Sequence, residues 1–195
     1  HLPLLRDFTR GFSQQPQSFS LWLNPKSVTS LAASSSSTRL GQQVWAGRRE
    51  SILARPAPAG AERVELKSQA LDYEWYQSAY GELHREKPDL ADYIPLTAEE
   101  DLAEALHVYV EGELAGLIAG QSWPLLGQPG TYFTEILLLN KFRGQGLAAA
   151  VQRKYIEARG AEIIWGTIDG LNPSSARTAE RVGRSVVQAE VFFLV

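Results

Sequence analysis

The sequence contains no cysteine, which excludes disulfide bonds, a thiol nucleophile and the zinc sites that depend on cysteine ligands. It also lacks an apolar run of the roughly 20 residues that a membrane-spanning helix needs. No charged segment followed by an apolar one marks a signal peptide. These absences lead us to expect a cytoplasmic protein without a membrane partner.

Excess charge of either sign is also small. The formal net charge is -3 and the pI about 5.7, so the chain has no basic footprint for nucleic acid. We expect no nucleic-acid partner and no metal. Hydrophobic residues make up 44% of the 195 residues, which is enough to form the core of one domain, with or without an appendage.

Two shifts in composition divide the chain. Ser34–Thr38 is a polar tract, and Arg55–Gly60 resembles a linker stiffened by its prolines. We therefore predict an N-terminal extension at residues 1–60 and the main domain at 61–195.

The extension has a weaker pattern than the main domain. Phe19–Leu23 alternates as a strand does, Val28–Ala33 is the candidate for its hairpin partner, and Leu4–Phe12 is a candidate helix. This order echoes Leu102–Gly120. Two interpretations follow: a degenerate internal duplicate of the main fold, or a plain extension packed on it.

The main domain alternates between helical and extended patterns. We predict helices at 71–85, 97–106, 146–159 and 174–182, and strands at 108–110, 114–119, 131–139, 162–168 and 186–195. The second helix would begin with a capping box at Thr97. This order is typical of an α/β protein with a mixed sheet.

A glycine-bearing turn joins the strand that ends near Leu139 to the helix that begins near Gly146. The first N–H groups of a helix have no internal partner and lie at the positive end of its dipole, so they bind phosphate oxygens. Gly144 and Gly146 would let a diphosphate approach the backbone, Ala148 keeps the next step small, and Arg143 adds a cation.

This turn resembles the hallmark of the GCN5-related N-acetyltransferase (GNAT) family, Arg/Gln-x-x-Gly-x-Gly/Ala, which Arg143, Gly146 and Ala148 match. Asn172–Gly183 is similar to the later helix of the same family. The resemblance implies a splayed central sheet, covers about 61–195, and makes acetyl-CoA the expected cofactor. The cofactor-binding residues that it implies are Leu138, Leu139, Asn140, Arg143, Gly144, Gln145, Gly146, Leu147, Ala148, Asn172 and Ser175.

Two other interpretations of the turn were weighed. It could be an ordinary tight turn. It also matches G-x-G-x-x-A of dinucleotide folds, with Asp169 ending the next strand. However, Asn140–Arg143 separates the strand from the first glycine, and only 26 residues follow Asp169, which is too few to complete a doubly wound sheet.

Glu135 is the candidate general base, because it is the only carboxylate on the strand that leads to the turn. The alternative is a structural glutamate at the start of that strand. Tyr132 is a weaker candidate base. His84 and His107 are expected at the surface.

The resemblance also implies a general acid, because many family members place a tyrosine where this chain has Ala179. Ser175 or water would have to protonate the leaving thiolate instead. The expected function is acetyl transfer to a primary amine of a small molecule or peptide. The alternatives are a catalytically weak acyl-CoA-binding module, or an interaction subunit whose first 60 residues dock a partner; a homodimer also stays open.

The acceptor site is less defined than the cofactor site. An aromatic helix face formed by Tyr73, Trp75, Tyr76 and Tyr80 would line an acceptor pocket or belong to the core. A run of acidic residues would suit a cationic amine, or simply form a solvated surface. Its members are Asp89, Asp92, Glu99, Glu100 and Asp101.

Overall fold

The structure, a computed structural model, describes residues 18–32, 38–92 and 94–194. The helix predicted at Leu4–Phe12 lies outside these ranges. The strands are β1 Ser18–Leu23, β2 Thr38–Arg48, β3 Val64–Lys67, β4 Leu106–Val110, β5 Glu113–Ser122, β6 Gly130–Leu138, β7 Ile163–Asp169 and β8 Ser185–Leu194. The helices are α1 Pro25–Ala32, α2 Arg49–Leu53, α3 Tyr73–Glu86, α4 Leu147–Glu157 and α5 Pro173–Val182, with 3-10 turns at Ala61–Arg63, Pro88–Asp92, Glu99–Leu102 and Asn140–Phe142. No helix among these residues is long and apolar enough to cross a membrane.

All eight strands form one mixed sheet in the order β1-β8-β2-β7-β6-β5-β4-β3. Every neighbouring pair is antiparallel except β6 and β7, which are parallel and joined through α4. The predicted α/β class with a mixed sheet is therefore confirmed. Helix α4 provides the long connection that parallel neighbours require.

The two faces of the sheet carry separate cores. Ile118 of β5 packs with Tyr155 of α4 in one cluster, whereas Leu117 packs with Tyr80 of α3 in the other. This division follows from the alternation of side chains along a strand. The face under α3 and the face under α4 therefore present different side chains to any cleft between the strands.

The N-terminal segment contributes strands to this same sheet. β1 forms the edge next to β8, and β2 lies between β7 and β8. The boundary predicted at residue 60 thus does not separate two sheets, while the interpretation of residues 1–60 as a degenerate half stays a prediction. The strand expected at Val28–Ala33 is wrong: the chain is helical from Pro25 to Ala32, with Pro25 at the first position and Asn24 accepting from the Ser27 N–H at 3.0 Å.

Close packing explains the two glycines of β2, which in the sequence resemble turn residues. A Cβ at Gly41 would meet the Phe192 ring at 2.5 Å, and one at Gly47 would meet the Gly183 carbonyl oxygen at 2.9 Å. Glycine is needed at these points because β8 and the end of α5 lie against the strand.

β6 and β7 separate along their length and form the expected splayed sheet. The two strands pair over three residues only, Gly130–Tyr132 of β6 with Ile163–Trp165 of β7. Beyond this, β7 continues beside β2 as far as Asp169, and β6 continues beside β5 as far as Leu138. A V-shaped cleft therefore opens between the two parallel strands toward the N-terminus of α4.

An irregularity in β6 lies where this cleft begins. The pairing with β5 shifts between Phe133 and Glu135, which leaves Thr134 as the extra residue of a bulge. Phe133 packs toward α4, whereas Glu135 and Leu137 point toward α3. The bulge thus directs a carboxylate to the α3 face beside the cleft.

Candidate active site

The turn before α4 has the geometry predicted for a phosphate site. Gly144 and Gly146 have φ of +74° and +77° and are exposed, and a Cβ at either would meet nothing within 4 Å. No side chain caps the N-terminus of α4. In the part of the chain that the structure describes, the N–H groups of Gly144, Gln145 and Gly146 donate to no protein acceptor. These bare donors form a nest for an anion.

The side chains of the turn hold it from the inside. Arg143 Nε donates to the Leu138 carbonyl oxygen at 2.5 Å, Gln145 Nε2 donates to the Lys141 carbonyl oxygen at 2.8 Å, and Asn140 Nδ2 donates to a Glu86 carboxylate oxygen at 2.8 Å. Burial lowers the pKa of Arg143 below its ordinary value, and Glu86 opposes this shift. The guanidinium folds back onto the end of β6, so its contact with a cofactor stays a prediction.

Other residues expected at the cofactor have visible structural roles. Leu147 is buried in the core, so only its backbone belongs to the turn. Asn172 caps α5 by accepting from the Ser175 N–H at 3.1 Å. Leu139 and Ala148 are partly buried beside the core. Cofactor contacts by these residues stay predictions.

Ala179, in the position of the family tyrosine, is fully buried in α5. A tyrosine ring there would need volume that the packed core does not offer, and overpacking costs about 1–3 kcal/mol or more. We therefore expect Ala179→Tyr to destabilise the fold.

Glu135 is buried and held by four hydrogen bonds. Its Oε2 accepts from the hydroxyls of Tyr76 at 2.5 Å, Tyr80 at 2.8 Å and Thr97 at 3.0 Å. Its Oε1 accepts from the Ile136 N–H at 2.8 Å. The carboxylate is therefore surrounded by hydrogen-bond donors.

The phenols of Tyr76 and Tyr80 are permanent donors in this network. Burial, and after it the charge of Glu135, raises the pKa of both above the ordinary tyrosine value. The two hydroxyls therefore stay protonated at neutral pH and remain hydrogen-bond donors to Glu135.

Thr97 is a site residue that the sequence did not identify. A capping role was predicted for it, but the 3-10 turn at Glu99–Leu102 has Ala98 as its N-cap and no side-chain cap. The Thr97 hydroxyl instead donates to Glu135, and its N–H donates to the Tyr76 oxygen at 3.0 Å. The aromatic spacing of α3 was the only signal in the sequence for this network.

A cavity of about 620 Å³ adjoins this network on the α3 face. Its lining includes Thr97 and the bulge residue Thr134, with Tyr132 and Trp165 at the last paired position of β6 and β7. The cavity therefore lies where the cleft begins, and Thr97 connects it to the carboxylate of Glu135. Pro95, Leu96, Ala98, Asp101, Gln121, Trp123 and Thr167 complete the lining.

Four of the remaining candidates, His84, His107, Tyr76 and Tyr80, are not part of the cavity lining. His84 bonds through Nε2 to the Ile94 carbonyl oxygen. His107 is buried and not at the surface as expected; it lies 6.1 Å from the Trp75 ring, and desolvation lowers its pKa. Tyr76 and Tyr80 are buried, which favours the core interpretation of this helix face. Tyr132 does line the cavity, with its hydroxyl 2.9 Å from that of Thr167.

A second buried charge lies near the cleft on the opposite, α4 face. Arg184 is 3% exposed, its Nη2 donates to Gln152 Oε1 at 2.7 Å, and its guanidinium lies 4.9 Å from the centre of the Phe133 ring. Among the described residues, its Nε and Nη1 have no hydrogen-bond partner. Burial lowers the pKa of Arg184 to about 9, so it remains charged at neutral pH.

This unpaired charge should weaken the fold. We expect the double variant Arg184→Met/Gln152→Leu to raise the free energy of unfolding by about 1–4 kcal/mol, because it removes a poorly compensated buried cation together with its partner. Arg153→Met is the matched control. Arg153 is also buried, but it donates to the carbonyls of Ile52, Leu53 and Arg55. Its loss should lower the free energy of unfolding in urea, because each buried carbonyl oxygen left without a donor costs about 1–3 kcal/mol. Equal destabilisation by both would contradict this account.

Comparison with known proteins identifies the family to which this architecture belongs. A model described as the acetyltransferase (GNAT) family matches residues 72–183, which is more than half of the chain. The chain belongs to the GNAT family. Its members use acetyl-CoA, and the matched range contains the glycine turn, the splayed strands and α5.

Solved structures agree with this fold. A GCN5-related N-acetyltransferase from Sphaerobacter thermophilus matches with a TM-score of 0.51 and 16% identity, over 90% of this chain and 58% of that one. A GNAT acetyltransferase from Colwellia psychrerythraea matches with a TM-score of 0.60 and 12% identity, over 99% and 70%. A third, from Kribbella flavida, gives 0.50 and 17%, over 99% and 73%. The chain of this protein thus spans little more than half the length of the Sphaerobacter thermophilus protein. No curated protein matches it.

Proposed function

We propose that this GNAT domain transfers the acetyl group of acetyl-CoA to a primary amine of a small molecule or peptide. The observation that carries the proposal is the cleft between β6 and β7, which runs from the glycine turn to the cavity. A diphosphate at Gly144–Gly146 would place the rest of the cofactor along this cleft. The thioester would then meet an amine at the end near Thr134.

The backbone of β6 would hold the acyl donor. Beyond Tyr132 the strand has no partner on the β7 side, so its amide groups facing the cleft are available. Such groups can accept hydrogen bonds from the pantetheine chain and donate hydrogen bonds to it. An N–H near the bulge at Thr134 would polarise the thioester carbonyl. Two groups of this strand are already engaged: Arg143 donates to the Leu138 carbonyl oxygen, and the Ile136 N–H donates to Glu135.

Glu135 would take the proton from the amine through Thr97. The amine would react as the neutral base, after its ammonium form has released one proton to solvent. As the amine nitrogen attacks the carbonyl carbon, the C–N bond forms and the C–S bond breaks. The Thr97 hydroxyl accepts the amine proton and passes its own proton to Glu135, along the hydrogen bond already present. CoA leaves as a thiolate, which takes a proton from water; a thiol pKa of about 8.5 makes this departure easy.

A catalytically weak acyl-CoA-binding module is the second candidate. It is favoured by the buried Ala179, which leaves no hydroxyl in the place of the family tyrosine. The two candidates are separated by incubating the protein with acetyl-CoA and a panel of amines, including a peptide with a free N-terminus. We expect free CoA and an amine heavier by one acetyl group. Tight binding of acetyl-CoA without either product would support the module.

A further inference from the structure

The side chains that line the cavity on the α3 face carry charge of one sign, which is negative. Its lining contains one carboxylate, that of Asp101, and no lysine or arginine. A negatively charged ligand would find no counter-ion in this lining, and burying an unpaired anion is costly. The lining therefore favours a ligand that carries a cation and disfavours one that carries a carboxylate or phosphate.

Three aromatic side chains form one wall of this cavity. The Tyr132 ring lies 4.6 Å from the Trp165 ring and 6.2 Å from the Trp123 ring. Trp165 is anchored, because its Nε1 donates to the Trp123 carbonyl oxygen at 2.9 Å. Trp123 is 54% exposed, so a large apolar surface faces the solvent at the rim. An exposed aromatic surface beside a cavity marks a binding site for an apolar or aromatic body.

The polar groups lie together at the end near the bulge. Thr134 Oγ1 donates to the Asp101 carbonyl oxygen at 3.1 Å, and Gln121 Nε2 donates to Asp101 Oδ1 at 2.7 Å. Thr97, which is bonded to Glu135, lines the same cavity. A carboxylate that attracts an ammonium group and a hydroxyl that leads to a buried base therefore lie on the side of the cavity where the cleft opens.

From this arrangement we infer that the acceptor is a primary amine with an aromatic body and no negatively charged group. The ring lies against Trp123, Tyr132 and Trp165, and the nitrogen points to Asp101 and Thr97. The inference rests on the proposed function and narrows it, because it excludes free amino acids and phosphorylated amines as preferred substrates.

Matched amines test the exclusion of negative charge. 2-Phenylethylamine and phenylalanine differ by one carboxylate beside the reacting nitrogen, and phenylalaninamide restores its bulk without its charge. We expect kcat/KM for 2-phenylethylamine to exceed that for phenylalanine by at least about 100-fold, since the carboxylate of Asp101 repels a second negative charge beside the reacting nitrogen. Phenylalaninamide should recover most of this difference, and Asp101→Asn should reduce it.

A tryptophan variant tests the aromatic wall. Trp123→Leu should raise KM for 2-phenylethylamine about 2–10-fold with little change in kcat, because ring contacts contribute about 0.5–1.5 kcal/mol to binding. Trp22→Leu is the control, since Trp22 is 45% exposed on the edge strand β1. 2-Cyclohexylethylamine, which lacks the aromatic ring, should lose affinity in the wild type and be less affected by Trp123→Leu.

The outcomes separate this inference from the proposed function. Acetylation that favours phenylalanine over 2-phenylethylamine would overturn the inference while the transferase function stands. If no amine of any class is acetylated, the transferase function fails. Tryptophan fluorescence titrations with the same amines then decide the inference, because tighter binding of phenylalanine would overturn it and tighter binding of 2-phenylethylamine, lost in Trp123→Leu, would support it.

Discussion

Glu135→Gln is expected to lower kcat by about 10²–10⁴-fold, the loss that follows removal of a general base. Glutamine has the same shape but cannot take up the amine proton that arrives through Thr97. The rate must be measured well below the melting temperature, because an amide nitrogen in place of Oε2 would face hydroxyl donors.

Two neighbouring variants separate a catalytic role from a structural one. Thr97→Val removes the hydroxyl that joins the cavity to Glu135, and it should lower kcat in the same direction. Tyr80→Phe removes one donor to Glu135 from the side away from the cavity; it should cost about 1–3 kcal/mol of stability and leave kcat nearly unchanged. If Glu135→Gln behaves like Tyr80→Phe, with kcat retained in the folded protein, Glu135 only anchors α3 to the sheet.

Local patterns allowed the strand–turn–helix geometry around Gly144 and Gly146 to be predicted, whereas cofactor binding there stays a prediction. The strand, the glycine turn and α4 are contiguous in sequence, and their geometry depends on positive φ at Gly144 and Gly146 and on helix propensity. The acceptor end could not be predicted in the same way. Thr97 and Glu135 are 38 residues apart in the sequence. The local pattern around Thr97 predicted a helix cap, but its hydroxyl forms a long-range hydrogen bond to Glu135 instead.

The position of the N-terminal strands shows the same limit. No strand was predicted at β2, where two glycines resemble turn residues. The structure shows that Gly41 and Gly47 are needed there, because Phe192 and Gly183 lie too close for a side chain. Arg184 was missed because a charged residue at the start of a strand is usually exposed. The tertiary fold buries it, because its guanidinium lies between Gln152 of α4 and the Phe133 ring of β6.

Gly146→Asp should weaken acetyl-CoA binding by at least about 100-fold. A non-glycine residue at φ +77° is strained, and the aspartate places a negative charge among the N–H groups that would bind the diphosphate. Loss of a charge-assisted hydrogen bond costs about 1.5–3 kcal/mol, and repulsion adds to this. Gly146→Asn carries the same bulk and strain without the charge, so it should bind better than Gly146→Asp and worse than the wild type.

Calorimetric titration of acetyl-CoA into Gly146→Asp, beside Gly112→Asp, tests whether the turn at Gly144–Gly146 binds the diphosphate of the cofactor. Gly112 has φ of +84° and open space around it, as Gly146 does, but it lies in the turn between β4 and β5. We expect Gly112→Asp to bind acetyl-CoA with an affinity close to that of the wild type, and Gly146→Asp to bind it at least about 100-fold more weakly. Unchanged affinity in a folded Gly146→Asp protein would contradict the assignment of this turn as the cofactor site.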